Sequence, residues 1–73
     1  MSLKTVVISQ PYITLTQVLK EEGIIGTGGQ AKWFLQENVV FVNHEAEQRR
    51  GRKLYPGDIL EVLDQTFEIQ KQV

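Results

Sequence analysis

TGGQAKWFLQE, residues 27–37, is the stretch of sequence that decides the fold, because a helix start is followed at once by an amphipathic helix. Thr27 and Gln30 have the spacing of a capping box, in which two residues satisfy the free amides that begin a helix. Downstream, three apolar residues recur at the intervals of one helical face: Ala31, Phe34 and Leu35. The stretch therefore predicts a helix over residues 28–37 that packs its apolar face on a core.

A shorter helix is predicted just upstream by the same signals. Thr14 and Gln17 form another capping-box pair, and apolar residues follow at helical spacing: Leu15, Val18 and Leu19. Gly23 is placed to end this helix, because glycine adopts the left-handed conformation that often follows a helix C-terminus. The link between the helices contains Ile24 and Ile25, which we expect to fill the core between them.

Short runs of β-branched or alternating residues predict five strands, at residues 3–9, 39–43, 45–48, 59–63 and 66–72. Asn43-His44 is typical of a tight hairpin turn, since asparagine tolerates a positive φ. Tyr55-Pro56-Gly57-Asp58 has proline and glycine where a type II turn requires them. We expect Asp64-Gln65 to join the last two strands. The order of elements predicts an α+β domain in which two short helices pack on a small, mostly antiparallel sheet.

The bulk composition limits the classes of function. Seventy-three residues predict a single domain, residues 1–73, without room for an enclosed substrate cavity. The net charge of −1 argues against a protein that coats nucleic acid with its whole surface, but it permits a local basic patch. The absence of cysteine excludes disulfides, thiolate catalysis and zinc ribbons. Neither a signal peptide nor a run of about 20 apolar residues is visible, so a cytoplasmic location without membrane contact is expected.

The segment Arg49-Arg50-Gly51-Arg52-Lys53, called the basic loop below, holds four of the chain's eight cationic side chains. Arginine forks bind phosphate in a bidentate manner, and Gly51 allows close approach of the backbone, so the loop predicts a phosphate clamp. The alternative is a solvated charge run that only aids solubility. The clamp requires guanidiniums that lie beside the second helix and are not already neutralised by the domain's own carboxylates.

The second helix contributes further candidates at its start and on its exposed arc. The amides of residues 27–29 are placed to hold a phosphate, or the glycines there only allow close packing against the first helix. At about 100° per residue, three side chains fall away from the apolar face: Lys32, Trp33 and Gln36. Trp33 either stacks on an unpaired base or packs beneath the first strand or the basic loop, and the size of its ring slightly favours packing.

In this order, the motifs resemble the RNA-binding domain of the ribosomal protein S4 type, built on the alpha-L motif. The resemblance covers residues 13–62 and rests on three marks: Gln30-Ala31 after the helix start, Val42-Asn43, and Pro56-Gly57-Asp58. Residues 27–37 together with the basic loop look closest to stand-alone bacterial members of the YaaA type. Many members have Ser-Arg-Ser at positions 27–29, so one arginine expected from the family is missing. The flanking strands, 3–9 and 66–72, lie outside the minimal motif, and we expect them to pair.

The resemblance implies non-enzymatic binding of structured RNA by the second helix and the following loop. Ribosomal RNA, bound in ribosome assembly or maturation and belonging to the large subunit, is the predicted partner, with transfer RNA as an alternative. The oligomeric state is open, and no cofactor or metal is expected. A different hypothesis is a protein–protein adaptor that uses the acidic C-terminal strands. Replacing the three arginines of the basic loop by alanine is expected to weaken RNA binding without unfolding. The predicted RNA-binding residues are Thr27, Gly28, Gly29, Gln30, Lys32, Trp33, Gln36, Arg49, Arg50, Arg52 and Lys53.

Overall fold

The computed structural model describes residues 3–73, so residues 1 and 2 of the predicted domain lie outside the described part. Within it there are two α-helices, α1 (Leu15–Glu21) and α2 (Ala31–Glu37). The strands are β1 (Leu3–Ile8), β2 (Ile13–Thr14), β3 (Val40–Val42), β4 (Glu45–Glu47), β5 (Lys53–Leu54), β6 (Ile59–Val62) and β7 (Gln65–Lys71). The predicted α+β class, with two short helices on a mostly antiparallel sheet, is confirmed.

Both helical segments begin at the predicted capping pairs, and a glutamine side chain accepts a hydrogen bond from the amide of each N-cap threonine. The Thr14 hydroxyl accepts a hydrogen bond from the Gln17 amide at 3.3 Å, and the Gln17 side chain accepts one from the Thr14 amide at 3.0 Å. Before α2, the Gln30 side chain accepts a hydrogen bond from the Thr27 amide at 3.1 Å. Residues Gly28–Gln30 form a 3₁₀ turn that leads directly into α2, so the predicted helix starts in a tighter form.

The main sheet has the strand order β1-β7-β6-β3-β4. The first and last strands pair with each other in parallel, with Leu3 opposite Thr66 and Ile8 opposite Lys71, as we expected of the two flanking strands. The other neighbours in this sheet are antiparallel. The two-residue strands β2 and β5 form a separate antiparallel pair that the sequence analysis missed.

Both two-residue hairpin turns use consecutive residues with positive φ. The predicted turn at Asn43 and His44 is confirmed, with φ values of 52° and 71°. The other turn is formed by Leu63 (φ 50°) and Asp64 (φ 62°), so its predicted position at Asp64-Gln65 is wrong by one residue. Gln65 instead pairs with Val62, because the buried residues further along β6 and β7 face each other and fix the register.

Asn43 ties the β3–β4 hairpin to the Pro-Gly turn. Its side-chain amide donates to Asp58 at 3.0 Å, and its side-chain oxygen accepts from the Ile59 amide at 2.9 Å. The Asp58 carboxylate also accepts from the Tyr55 amide at 2.8 Å, which stabilises the predicted turn. Gly57, with φ 98°, occupies the position of a type II turn that favours glycine. The two short motifs therefore stabilise one another.

The core lies between the two helices and one face of the sheet. It includes the predicted apolar residues of α1 and, from α2, Ala31 and Leu35, with Phe34 half-buried against them. The largest fully buried side chain is Phe67 of β7. Neither helix within residues 3–73 has the length and apolar character needed to cross a bilayer.

Candidate nucleic-acid interface

The basic loop is anchored to the N-terminus of α1 through its main chain. The Leu15 amide donates to the Arg52 carbonyl at 2.8 Å. The Thr16 amide and hydroxyl both donate to the Arg50 carbonyl, at 3.1 and 2.7 Å. The first amides of a helix have no partner within the helix, so these carbonyls complete the cap that Thr14 and Gln17 begin. The loop is therefore fixed in position, whereas a charge run that only aids solubility needs no such anchoring.

A buried carboxylate, Glu47, lies beneath the basic loop. It is the last residue of β4, and only 7% of its surface is exposed. Arg49 donates to both of its oxygens, at 3.0 and 3.1 Å, and Arg52 donates at 2.6 Å. The amides of Gln48 and Arg49 complete the set at 3.1 and 3.0 Å. Glu47 is not among the residues predicted from the sequence, although an acid two residues before an arginine is a signal for such a pair.

These contacts decide the charge of the basic loop. Hydrogen bonds from the Arg49 side chain lower the pKa of Glu47 from 4.5 to about 2, and they outweigh burial, which by itself raises it. Glu47 is therefore ionised at neutral pH and partly neutralises two guanidiniums. The condition that the arginines be unpaired is met only in part. Arg50 and Lys53 form no ion pair within residues 3–73, and the Arg49 side chain remains 74% exposed.

An open groove of about 510 Å³ separates α2 from the basic loop. Lys32 and Gln36 of α2 line one side, and Arg49 and Arg50 line the other, so the loop lies beside the helix as the clamp requires. No carboxylate belongs to the lining residues, and the groove is therefore positively charged. In the described part of the chain, no three His, Asp or Glu side chains are grouped to hold a metal ion.

The start of α2 exposes backbone amides next to two glycines. As the first amides of the 3₁₀ turn, those of Gly28 and Gly29 have no partner within it, and no bond to another element or side chain in residues 3–73 uses them as donors. A Cβ atom at Gly28 would lie 3.8 Å from Thr16, and one at Gly29 would lie 3.9 Å from Thr27. Both distances are ordinary contacts, so close packing against the first helix does not explain why glycine occupies either position. The side-chain oxygen of Gln30, in contrast, is already used in capping.

Trp33 is exposed, so the expectation that it packs beneath another element is wrong. Its surface is 63% exposed, and its nearest cation is Lys32, whose Nζ lies 5.7 Å from the ring centroid. It borders a shallow depression with Ile24 and Gln30, on the flank of α2 that faces away from the groove. Within residues 3–73 nothing covers this flank, because β1 pairs at the far edge of the sheet and the basic loop docks on α1.

Lys53 lies apart from the groove, among exposed aromatic rings. Its Nζ is 4.9 Å from the ring centroid of Tyr12, and the centroids of Tyr12 and Tyr55 are 5.9 Å apart. The pairing of Ile13 with Leu54 between β2 and β5 brings these residues together. Tyr12 could not be predicted from the sequence because this two-residue pairing joins distant parts of the chain. Of the predicted residues, four line the groove: Lys32, Gln36, Arg49 and Arg50. Gln30 and Trp33 border the depression on the other flank of α2, and Arg52 and Lys53 border the outer side of the basic loop.

Comparison with known proteins identifies the family to which this arrangement belongs. The family model of the S4 domain matches residues 6–70. The chain belongs to the S4 domain family. The match includes both helices, the basic loop and the Pro-Gly turn of this S4 domain, and it confirms the resemblance predicted from the sequence. A similar protein of Bacillus subtilis (strain 168), described as probable ribosome maturation protein RlbA, is 54% identical over 55 residues, which are 75% of this chain and 78% of that protein.

Proposed function

We propose that this S4 domain binds structured RNA without catalysing a reaction, and that it holds phosphates in the groove between α2 and the basic loop. The observation that carries this proposal is the pair of cations at the groove, Lys32 and Arg50. Both lack an ion-pair partner within residues 3–73, and both are mounted on fixed elements. The relative described as a ribosome maturation protein supports ribosomal RNA as the target, bound during ribosome maturation. Within this proposal the large subunit is the preferred site, and transfer RNA is the alternative.

Charge in and around the groove sets the expected salt dependence. The four cations of the basic loop and the single Glu47 carboxylate leave three net positive charges, and Lys32 adds a fourth. If these charges neutralise about four phosphates, the slope of log affinity against log salt is roughly −3, at about −0.7 per phosphate. The exposed amides of Gly28 and Gly29 add donors without charge, so they strengthen binding without changing this slope.

Exposed aromatic residues outside the groove supply contacts of another kind. Trp33 on the other flank of α2 and the pair Tyr12 and Tyr55 beside Lys53 are available to stack on unpaired bases. Each such stack contributes about 1–3 kcal/mol and tolerates any base. RNA recognition would then depend on shape, with phosphates held centrally and splayed bases at the edges.

The test replaces Lys32 and Arg50 together by alanine and measures binding to a fluorescent ribosomal RNA fragment by anisotropy over a salt series. We expect at least about tenfold weaker binding and a slope that is shallower by roughly 1.5, since two phosphate contacts are lost. Lys71→Ala, which removes a cation at the end of β7, serves as the control and should bind normally. Unchanged affinity in the double variant, with an unchanged melting temperature, would contradict the proposal.

This pair replaces the triple arginine-to-alanine variant suggested by the sequence. Removing Arg49 and Arg52 together would leave Glu47 buried without a cation, and an unpaired buried charge destabilises a fold. A loss of RNA binding by the triple variant would therefore not distinguish unfolding from a lost RNA contact. Lys32 and Arg50 avoid this difficulty because neither is bonded to a carboxylate.

The alternative function, a protein–protein adaptor that uses the acidic C-terminal strands, concerns a different surface. The acidic side chains of β6 and β7 that face away from the helices lie on the side of the sheet opposite the groove. Both functions can therefore coexist in one domain. Co-purification of a protein after nuclease treatment would favour the adaptor, whereas its loss on nuclease treatment would favour RNA as the only link.

A further inference from the structure

The helices cover only one face of the main sheet. Buried strand residues such as Val6 and Phe67 point toward α1 and α2. The residues that alternate with them form a second face, which we call the outer face. One row across it, read from the strand register, consists of Leu3, Thr66, Glu61, Phe41 and Ala46, and all five side chains are exposed or half-buried.

Apolar side chains gather at one end of the outer face, where β3 begins and β6 turns into β7. Val39, Phe41 and Leu63 are exposed there and border an open notch of about 420 Å³. The carboxylate-bearing residues Glu61 and Asp64 line the same notch. Exposed apolar residues scattered singly are ordinary, but a group of them around a concave site indicates a surface that binds something.

The backbone of Leu63 is an independent sign of function. Leu63 has a φ of 50° and Asp64 one of 62°, which is the left-handed conformation of a two-residue hairpin turn. Asparagine and glycine favour that conformation, and the equivalent turn of the β3–β4 hairpin does begin with Asn43. A leucine is unfavourable there, and its side chain is 51% exposed, so it contributes little to the core. Unfavourable backbone at a surface position is typical of binding sites.

Charge limits what this surface can bind. The outer-face positions of the main sheet carry Glu61 and Glu68 but neither lysine nor arginine, and Asp64 adds a third acid at the notch. One cation, Lys4, reaches the rim of the notch by donating to Gln65 at 3.1 Å, so the acids remain in excess. One oxygen of Glu61 lies 3.2 Å from His44 Nδ1. An acidic surface repels RNA, so the occupant of the notch differs in kind from the ligand of the groove.

We propose that the notch binds a basic, extended segment of a partner protein, with a lysine or arginine side chain seated in it. The aliphatic part of that side chain packs against Leu63 and the Phe41 ring. Its cationic head lies between the carboxylates of Glu61 and Asp64, where the Phe41 ring also attracts it. The domain thereby holds RNA on its helical side and a basic protein on its outer face. A second copy of the chain is a poorer occupant, because two such notches placed together would oppose their carboxylates.

The experiment titrates isotopically labelled protein with an octapeptide that alternates arginine with leucine, followed by amide shifts in NMR spectra. We expect saturable shifts at Val39, Phe41 and Leu63, none in the basic loop, and no binding of the matched peptide that has glutamate in place of arginine. Leu63→Asn should weaken peptide binding by about tenfold or more, since one buried aliphatic contact is lost. It should leave the melting temperature unchanged or raise it, because asparagine suits the turn.

The control is Val7→Thr, which removes another exposed apolar side chain from the outer face, on the distant strand β1. This variant should bind the peptide normally. Equal binding by Leu63→Asn and the natural protein would overturn the proposal. The proposal would also be overturned by amide shifts spread over all acidic residues or by binding of the glutamate peptide. Shifts that depend only on protein concentration would overturn it as well. None of these outcomes affects RNA binding, which is measured separately at the groove.

Discussion

Replacement of Glu47 by glutamine tests the centre of the candidate interface, because this residue orders two of its arginines. Glutamine has the same shape, and its oxygen can still accept a hydrogen bond from Arg52. Its amide group, however, would face the donors of Arg49, and the negative charge would be lost. We therefore expect Glu47→Gln to destabilise the fold and to loosen the basic loop.

The magnitude follows from the lowered pKa of Glu47. A change from 4.5 in the unfolded chain to about 2 in the fold corresponds to an upper limit of about 3 kcal/mol, at 1.36 kcal/mol per pKa unit. Both guanidiniums border solvent, which screens their attraction for the carboxylate, so we expect about 1–2 kcal/mol. In a domain of this size, that loss lowers the melting temperature by roughly 5–15 °C.

The pH dependence supplies a second signature of the same contact. Because the pKa of Glu47 is lower in the folded state, its stabilising contribution is complete above about pH 4.5 and is lost as the pH falls through about 2. The difference in unfolding free energy between the natural protein and Glu47→Gln should therefore shrink over that range. Urea denaturation, followed by circular dichroism at a series of pH values, measures it.

Glu45→Gln is the matched control for this prediction. Glu45 lies on the same strand, is exposed, and forms no ion pair within residues 3–73. Its replacement should change stability by less than about 0.5 kcal/mol at any pH, as for most surface positions. If Glu47→Gln were as stable as this control at neutral pH, or if its loss of stability did not diminish in acid, the Glu47 charge would not stabilise the fold.

Three further replacements test other parts of the structure. Asn43→Ala should lower the free energy of unfolding by about 2–3 kcal/mol in urea denaturation, since it removes two hydrogen bonds at a residue with positive φ. Asn43→Gly should lower it less, because glycine adopts a positive φ without strain, and equal losses would show that the φ value does not matter. Gly29→Ala should leave the free energy of unfolding unchanged or raise it by up to about 1 kcal/mol, yet it should weaken RNA binding. Undiminished RNA affinity would mean that no phosphate approaches the Gly29 amide. Trp33→Ala should lower RNA affinity about tenfold with little effect on stability, and unquenched Trp33 fluorescence in the RNA complex would argue against stacking.

The parts of the fold that local chemistry specifies were predictable from the sequence. The capping pairs at Thr14 and Thr27, the left-handed Gly23 and the turn at Asn43 each depend on residues a few positions apart. The Pro-Gly turn belongs to the same group. Such signals need no knowledge of distant contacts, and the structure contains all of them.

Features that depend on distant contacts or on unfavourable local choices were not predictable in the same way. The β2–β5 pair consists of two residues from each strand, which is too short to leave a pattern. Leu63 occupies a turn position with positive φ, which leucine rarely adopts, so the turn was predicted one residue too late. Helical periodicity placed Trp33 away from the core, but it could not show which flank the basic loop would approach.

The parallel pairing of β1 with β7 has a consequence for the protein during its own synthesis. Leu3 leaves the ribosome long before its partner Thr66, and at about 5–20 residues per second this interval lasts several seconds. Throughout it, the apolar side chains of Val6 and Ile8 have no neighbouring strand to cover them. Until almost the whole domain has emerged, the nascent chain therefore exposes an apolar segment that is prone to aggregate.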